Sequence, residues 1–240
     1  MNAKNLVLTL AVGALALSSC NSGVNSTTAS LKTATDSVSY YIGYMYGTTI
    51  QRNGLKDPNM KAIVAGMNAA IQKKETGTDL QKMQMYIGTY MQQLAMKQAE
   101  DNLKNGKEFL AKNAKKSGID TLSDGIQYKV LKKGDGPTPS ATDLVKVHYK
   151  GTLIDGSEFD SSYKRGEPAQ FQLNQVIPGW SKALQHMPVG SKWQIFLPSD
   201  QAYGPRGAGG IIGPNETLIF EVELLDIVQP QLEGTDADQK

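Results

Sequence analysis

The sequence has few of the side chains that bind metals or carry out redox chemistry, with one cysteine and two histidines in 240 residues. A single cysteine excludes a disulfide within the chain and any metal cluster built on cysteines. Two histidines are too few for a three-histidine zinc site. The composition therefore predicts a function that needs no metal and no cofactor.

An excess of charge of one sign is also missing, because 25 Lys and Arg stand against 23 Asp and Glu. Proteins that coat nucleic acid usually carry a dense basic face, so nucleic acid is not an expected partner. The motifs G-x-S-x-G, H-E-x-x-H and G-x-x-x-x-G-K-[ST] do not occur either. Their absence argues against the serine hydrolases, zinc proteases and phosphate-binding loops that these motifs mark.

An apolar run from Leu6 to Leu17 follows the basic residue Lys4 near the N-terminus. It is shorter than the roughly 20 residues that span a bilayer, and it is typical of a cleaved signal peptide, here residues 1–19. The run ends in Leu17-Ser18-Ser19-Cys20, which resembles the lipobox of bacterial lipoprotein precursors. The alternative is an ordinary signal peptide with an incidental cysteine. The position of the sole cysteine favours lipidation of Cys20, and more than one acyl chain there would anchor the protein to a membrane.

The composition of the mature chain divides near residue 120. Residues 20–34 are rich in Ser, Thr, Asn and Ala and are predicted to form a flexible tether, and residues 230–240 form a polar tail. Between them, seven of the nine methionines lie in 31–120 and eight of the ten prolines lie in 121–229. This division predicts two domains, 35–120 and 121–229.

The first domain has the apolar spacing of helices. One helix is predicted from Thr35 to Gln51. A second is predicted to start at Asp57-Pro58, with Asp57 as the N-cap. A third is predicted to start with a capping box between Thr78 and Gln81.

The third helix is predicted to run to about Lys116, where Gly118 stops it. Its second half, from Lys97 to Lys116, has little apolar surface, which predicts a spacer that crosses solvent between the two domains. Methionines and tyrosines line the preceding helices at helical spacing. They are either the core of a monomeric bundle or a pairing surface. Three helices form a thin core, so we favour a homodimer through residues 35–95.

The second domain has the alternation of strands. Apolar residues alternate with polar ones from Ile126 to Val130 and from Val145 to Tyr149, and a final strand is predicted from Leu218 to Val228. Asp155-Gly156 is suited to a tight hairpin turn. One short helix is predicted from Trp180 to Met187. The whole chain is therefore expected to be α+β, with an all-helical first domain, a long connecting helix and an antiparallel sheet wrapped around one short helix.

The second domain carries six short motifs: Val147-His148-Tyr149, Gly156-x-x-Phe159-Asp160-Ser161-Ser162, Val176-Ile177-Pro178-Gly179-Trp180, Ala202-Tyr203-Gly204, Gly210-Ile211-Ile212 and Thr217-Leu218-Ile219-Phe220. In order and spacing, from about Gly125 to Val228, they resemble those of the FKBP-type peptidyl-prolyl isomerases. The first domain is similar to the helical dimerisation domain of the macrophage infectivity potentiator subgroup.

The resemblance implies a proline-binding pocket with Trp180 as the floor under the proline ring and Asp160, held by Arg165, beside the twisting amide. It implies that the Ile177 backbone N–H and the Tyr203 hydroxyl hold substrate carbonyls. The remaining residues that it implies for the pocket are Tyr149, Phe159, Phe171, Val176, Ile211 and Phe220. Ala169 and Ala208, both expected on the rim of the pocket, replace an aromatic residue and a histidine found in other members, which puts the affinity for macrolide inhibitors in doubt.

Prolyl isomerisation fits a sequence with few metal-binding and redox-active side chains, because rotation about an amide makes and breaks no covalent bond. The leading hypothesis is a lipid-anchored isomerase that helps proline-containing proteins fold in the envelope of a Gram-negative bacterium, at the outer membrane. The alternatives are a chaperone or binding module with weak or dispensable isomerase activity, and a surface lipoprotein for adhesion. Asp36-Ser37-Val38 and Asp120-Thr121-Leu122 also resemble an O-glycosylation acceptor.

Overall fold

The computed structural model describes residues 29–228, which begin with three helices. They are α1 (Ala34–Arg52), α2 (Met60–Ile71) and α3 (Leu80–Asn113). Within these residues, no helix combines the length and the apolar character that crossing a bilayer requires. The predicted signal peptide (1–19), Cys20, the first part of the predicted tether and the predicted polar tail (230–240) lie outside the described residues.

The helix starts differ from those predicted. The N-cap of α2 is Asn59, whose side chain accepts a hydrogen bond from the Ala62 N–H, and not Asp57. The N-cap of α3 is Asp79, which accepts from the Lys82 N–H at 2.7 Å, and not Thr78. A carboxylate at a helix N-terminus also complements the helix dipole, which a threonine hydroxyl does not.

The connecting helix α3 is confirmed, but the prediction that its second half crosses solvent as a spacer is wrong. Gly106 and Asn113 are buried on this helix, which ends before Lys116 and Gly118. The Phe109 ring lies 6.0 Å from the Phe196 ring of the second domain. The second half of α3 therefore packs against the sheet domain, and its sparse apolar surface is supplemented by polar and glycine contacts.

Seven antiparallel strands form one sheet. They are β1 (Asp120–Thr121), β2 (Gln127–Lys132), β3 (Leu144–Leu153), β4 (Glu158–Ser161), β5 (Ala169–Gln172), β6 (Lys192–Leu197) and β7 (Leu218–Val228). The order is β1-β2-β6-β7-β3-β4, and β5 also pairs with β3. The predicted hairpin turn between β3 and β4 is present, with Gly156 at a φ of +87°. A residue other than glycine is strained in that conformation.

Two short helices complete the second domain, α4 (Ser162–Arg165) and α5 (Pro178–Leu184). The predicted short helix is thus α5, which starts two residues earlier than expected and ends at Leu184. Its buried residues Trp180, Ala183 and Leu184 join the inward residues of β3, β6 and β7 in one hydrophobic core. This arrangement confirms the expected α+β fold with a sheet around one helix.

Candidate active site

A pocket of 440 Å³ opens beside α5, between the sheet and the segment that leads into β7; we call it the aromatic pocket. It is lined mainly by apolar and aromatic side chains, with few polar groups, as small-molecule and peptide sites commonly are. The lining residues are Tyr149, Phe159, Asp160, Phe171, Gln175, Val176, Ile177, Trp180, Tyr203, Ala208, Gly209, Ile211, Ile212 and Phe220.

Trp180 is the centre of the aromatic cluster and is almost completely buried. The rings of Tyr149, Phe171 and Phe220 surround it edge-on, with centroids 5.2, 5.5 and 5.2 Å away. Edge-to-face contacts of this kind fix ring positions, because each positive ring edge meets a negative ring face. Within the described part of the chain the buried Trp180 indole N–H has no hydrogen-bond partner.

Asp160 is the one carboxylate in the pocket lining, and two neighbours hold it. The Tyr149 hydroxyl donates a hydrogen bond to Oδ2, and the Arg165 guanidinium donates to Oδ1 at 2.6 Å and to the Tyr149 hydroxyl at 2.8 Å. Burial raises the pKa of Asp160, but these hydrogen bonds and the charge of Arg165 outweigh it and lower the pKa below its usual value. Asp160 is therefore a fixed, charged group at neutral pH.

The two tyrosines of the pocket remain neutral hydrogen-bond donors. Burial raises the pKa of Tyr149, and the hydrogen bond to Asp160 raises it further. Burial and the nearby charge of Asp160 also raise the pKa of Tyr203. Tyr203 is 40% exposed and Ile211 is 58% exposed, so both lie at the rim of the pocket, above the buried Trp180.

A glycine in β3 makes room for the pocket wall. Gly151 pairs with Asp160 on one side and with Phe220 on the other. A Cβ atom at this position would lie 2.5 Å from the Phe159 ring and 2.9 Å from the Phe220 ring. These two rings lie in edge-to-face contact at 5.4 Å, so the absence of a side chain at Gly151 sets their position.

Ten of the eleven pocket residues predicted from the sequence line one cavity. The eleventh, Arg165, contacts Asp160 and Tyr149 from outside it. No role was predicted for Gln175 or Gly209, which adjoin quoted motifs, or for Ile212, which lies within one. Ala208 lines the pocket, whereas Ala169 does not: it pairs with Val147 and packs against the core, so its expected place on the rim is wrong.

Both halves of the chain match family models. Residues 136–225 match the FKBP-type peptidyl-prolyl cis-trans isomerase family, and residues 35–130 match the domain amino-terminal to FKBP-type peptidyl-prolyl isomerase. The second match takes in all three helices, including the second half of α3.

The similarity to curated relatives extends over most of the chain. The outer membrane protein MIP of Legionella longbeachae is 41% identical over 231 residues, which cover 93% of this chain and 98% of that protein. The isomerase FkpA of Aeromonas hydrophila is 47% identical over 82% of this chain and 78% of its own length. The crystal structure of FkpA from Escherichia coli matches with a TM-score of 0.63 and 37% identity, covering 82% of this chain and 98% of that one.

The fold, the aromatic pocket and these relatives together define the class of protein. The chain belongs to the FKBP-type peptidyl-prolyl cis-trans isomerases. Within that family it is of the Mip and FkpA type, which combines a helical N-terminal domain with the isomerase domain. It is an enzyme that isomerises peptide bonds before proline and thereby assists protein folding.

Proposed function

We propose that the aromatic pocket accelerates isomerisation by binding the twisted amide better than the planar one. Amide resonance imposes a barrier of about 18–20 kcal/mol, and X-Pro bonds flip in roughly 10–100 s unaided. Twisting reduces the charge separation across the amide, so an apolar, water-poor surface favours the transition state over the ground state. Each ~1.4 kcal/mol of preference gives a tenfold acceleration. The burial of Trp180 among three rings is the observation that carries this proposal.

Each predicted residue has a role in this proposal. Trp180 supports the proline ring, and Asp160 stabilises the amide as it twists, with Tyr149 and Arg165 holding its carboxylate. The Tyr203 hydroxyl and the Ile177 backbone N–H bind substrate carbonyls. The remaining predicted residues form the walls: Phe159, Phe171, Val176, Ile211 and Phe220. Macrolide inhibitors would occupy the same space and compete with peptide.

A protease-coupled assay on an X-Pro peptide tests these roles. The wild-type chain is expected to accelerate the reaction, and Asp160→Leu and Trp180→Ala are expected to lose most of this activity while remaining folded by circular dichroism. Gln170→Ala, at an exposed position of β5, serves as the control and should leave the rate unchanged. A wild-type rate equal to the uncatalysed rate would overturn the proposal.

We further propose that residues 35–120 pair two chains and residues 121–229 carry the catalysis. The match of residues 35–130 to the N-terminal family model and the exposed tyrosines and methionines of α1 support pairing. The alternative of a chaperone with dispensable catalysis is less favoured, since the FkpA-type relatives are named isomerases. An adhesive lipoprotein would not need a pocket in which Tyr149 and Arg165 hold the carboxylate of Asp160.

The proposed location is the Gram-negative envelope, with an anchor on lipidated Cys20 and the outer membrane as the site. The lipobox-like sequence and the relative named outer membrane protein MIP support it. Labelling with a radioactive fatty acid should mark the wild-type protein and leave Cys20→Ala unmarked. Label that persists in the variant, or no label at all, would contradict the anchor. Intact-mass measurement of the same sample tests glycosylation at Ser37 and Thr121.

A further inference from the structure

One wall of the aromatic pocket is a glycine-rich stretch, residues 203–217, which we call the rim segment. It supplies Tyr203, Ala208, Gly209, Ile211 and Ile212 to the pocket lining and then enters β7. It contains five glycines, at positions 204, 207, 209, 210 and 213, and the first four have positive φ. Glycine loses more conformational freedom on folding than other residues, so such a segment needs contacts to hold one conformation.

Contacts within the rim segment close it into a loop but do not fix it to the rest of the domain. Ala208 and Ile212 exchange two backbone hydrogen bonds, of 2.9 and 3.0 Å. The Asn215 N–H donates to the Gly204 carbonyl at 2.8 Å, which joins the two ends. These bonds give the loop its shape, and its position depends on what the loop contacts outside itself.

The outer side of the loop faces a groove of 990 Å³, whose opposite wall includes Arg52 of α1 and Gln98 of α3. The residues of the aromatic pocket from Ala208 to Ile212 also line this groove. Ile212 is buried and packs in the hydrophobic core, whereas the exposed residues Gly209 to Ile211 separate the two open spaces. Besides Ile212, the end that enters β7 carries the contacts that hold the loop in position.

The end of the rim segment that enters β7 is bound by the connecting helix α3. Asn102 donates from Nδ2 to the Pro214 carbonyl at 2.9 Å, and Asn215 donates from Nδ2 to the Ala99 carbonyl at 3.2 Å. Asn215 has a φ of +56°, a conformation that asparagine tolerates better than most residues. The two bonds run in opposite directions between the same two segments, so they fix the separation of helix and loop end.

A glycine contact reinforces this anchor one turn further along α3. Gly106 is buried, and a Cβ atom there would lie 2.2 Å from Thr217 Oγ1 and 3.2 Å from Thr217 Cβ. Thr217 is itself buried and directly precedes β7, which carries Phe220 into the pocket. Helix and rim segment therefore approach more closely than any side chain on Gly106 would permit.

We propose that α3 is part of the substrate-binding apparatus, with Asn102 and Gly106 as positioning residues that hold the rim segment over the aromatic pocket. This inference rests on the proposed function of the pocket. The rim segment contributes Tyr203 and Ile211, which bind the peptide, whereas Trp180 and Asp160 lie on other elements. Loosening the anchor should therefore weaken substrate binding and leave the chemical step largely intact.

Steady-state kinetics of full-chain variants on an X-Pro peptide test the proposal. In Asn102→Ala and Gly106→Ala, we expect KM to rise about threefold or more with kcat nearly unchanged, the pattern of a lost binding interaction that is equal in ground and transition states. Gly106→Ala combined with Thr217→Ala removes the colliding hydroxyl and should recover much of the wild-type KM.

Matched controls separate this effect from general changes to α3. Asn105→Ala changes the same residue type at an exposed position of the helix. Gly88→Ala adds a methyl group that meets no described atom within 4 Å apart from its chain neighbours and the backbone of its own helix. Both should keep the wild-type KM. The proposal is overturned if Asn102→Ala keeps the wild-type KM, or if kcat falls as much as KM rises. If Gly106→Ala does not fold, the KM of Asn102→Ala alone decides whether α3 positions the rim segment. A wild-type chain without isomerase activity would instead refute the proposed function.

Discussion

At the scale of single residues, the site depends on one charge whose position is fixed. Asp160 is held by Tyr149 and Arg165, and its lowered pKa follows from those hydrogen bonds and from the positive charge, against the effect of burial. Prolyl isomerisation transfers no proton to a base, so Asp160 does not need a pKa near neutrality, unlike a general acid or base. It needs to remain charged and in place.

The role of Arg165 predicts a shift in the pH dependence of activity. Because the pKa of Asp160 lies below its ordinary value of about 3.9, activity that requires the carboxylate should persist on acidification and fall only as the pH passes the lowered pKa. Arg165→Leu removes a hydrogen bond and a charge, so the pKa of Asp160 rises and activity should be lost at a higher pH. Arg165→Lys, which keeps the charge, should lose activity at a pH between those of the wild type and Arg165→Leu.

The measurement is kcat/KM against pH, with unfolding followed by circular dichroism over the same range. If Arg165→Leu and the wild type lose activity at the same pH while both remain folded, Arg165 does not act through the charge of Asp160.

The absence of a side chain at Gly151 leads to a second prediction at this scale. Gly151→Ala would press a methyl group into the Phe159 and Phe220 rings, and overpacking a well-packed site typically costs about 1–3 kcal/mol. We expect a lower urea midpoint and a lower kcat/KM, since both rings line the pocket. Lys150→Ala, at the exposed neighbouring position, should change neither by as much. A Gly151→Ala variant with wild-type kinetics would show that the rings need not keep these positions.

At the scale of elements, the second half of α3 is joined to the isomerase domain by buried polar contacts as well as by apolar ones. Asn113, which is 1% exposed, donates from Nδ2 to Gln127 Oε1 at 3.0 Å. Gln127 in turn donates from Nε2 to the Leu110 carbonyl at 2.9 Å. Each buried polar group depends on the other, so this pair is sensitive to the loss of either partner.

Removing Gln127 should therefore destabilise the junction of helix and sheet. Gln127→Ala leaves the Asn113 amide without its partner in a buried place and removes one of the two hydrogen bonds of the Leu110 carbonyl, which keeps the bond from the Ala114 N–H. We expect this change to lower the free energy of unfolding by about 1–3 kcal/mol. Urea unfolding measures the change. Asn113→Ala together with Gln127→Ala should cost less than the sum of the two single changes, because they share one interaction. Strict additivity would show that the two residues act independently.

At the scale of the whole molecule, the two domains differ in how far one chain can bury its own apolar side chains. In α1 and α2 no residue is buried, and Tyr44 and Met45 are 68% and 69% exposed. In the isomerase domain the core residues of β3, β6 and β7 are almost fully buried. The exposed apolar surface of α1 and α2 is unfavourable in water, which supports the proposed pairing with a second copy of the chain.

The proposed dimer makes a direct prediction about mass. A chain that starts at residue 29 should scatter light as a species of twice its own mass. Tyr44→Glu with Met45→Glu should yield single chains that keep the wild-type kcat/KM on a short peptide, because the aromatic pocket lies in the other domain. Gln92→Glu, an acidic change at an already polar and exposed position of α3, is the control. A monomeric mass for the unaltered chain across the accessible concentrations would contradict pairing.

Much of this molecule could be predicted from local pattern. Alternation located β2 and β3, because a half-buried strand places every second side chain in the core. The resemblance of the motifs from Tyr149 to Phe220 implied eleven pocket residues, and ten of them line one cavity, because the sheet, α5 and the rim segment bring these motifs together. Helix starts were less predictable, since Asn59 and Asp79 compete with neighbours that also cap helices.

The sequence by itself determined strands through their alternation, and it predicted the division into two domains from composition and the pocket residues from the resemblance of its motifs. Only the tertiary structure decided what α3 does beyond Lys97, because its contacts with Gln127, Pro214 and Thr217 join residues far apart in the chain. A helix face that carries Asn102, Gly106 and Asn113 has the pattern of a solvated surface. It becomes a buried junction only when a second surface satisfies its amides and fits against its glycine.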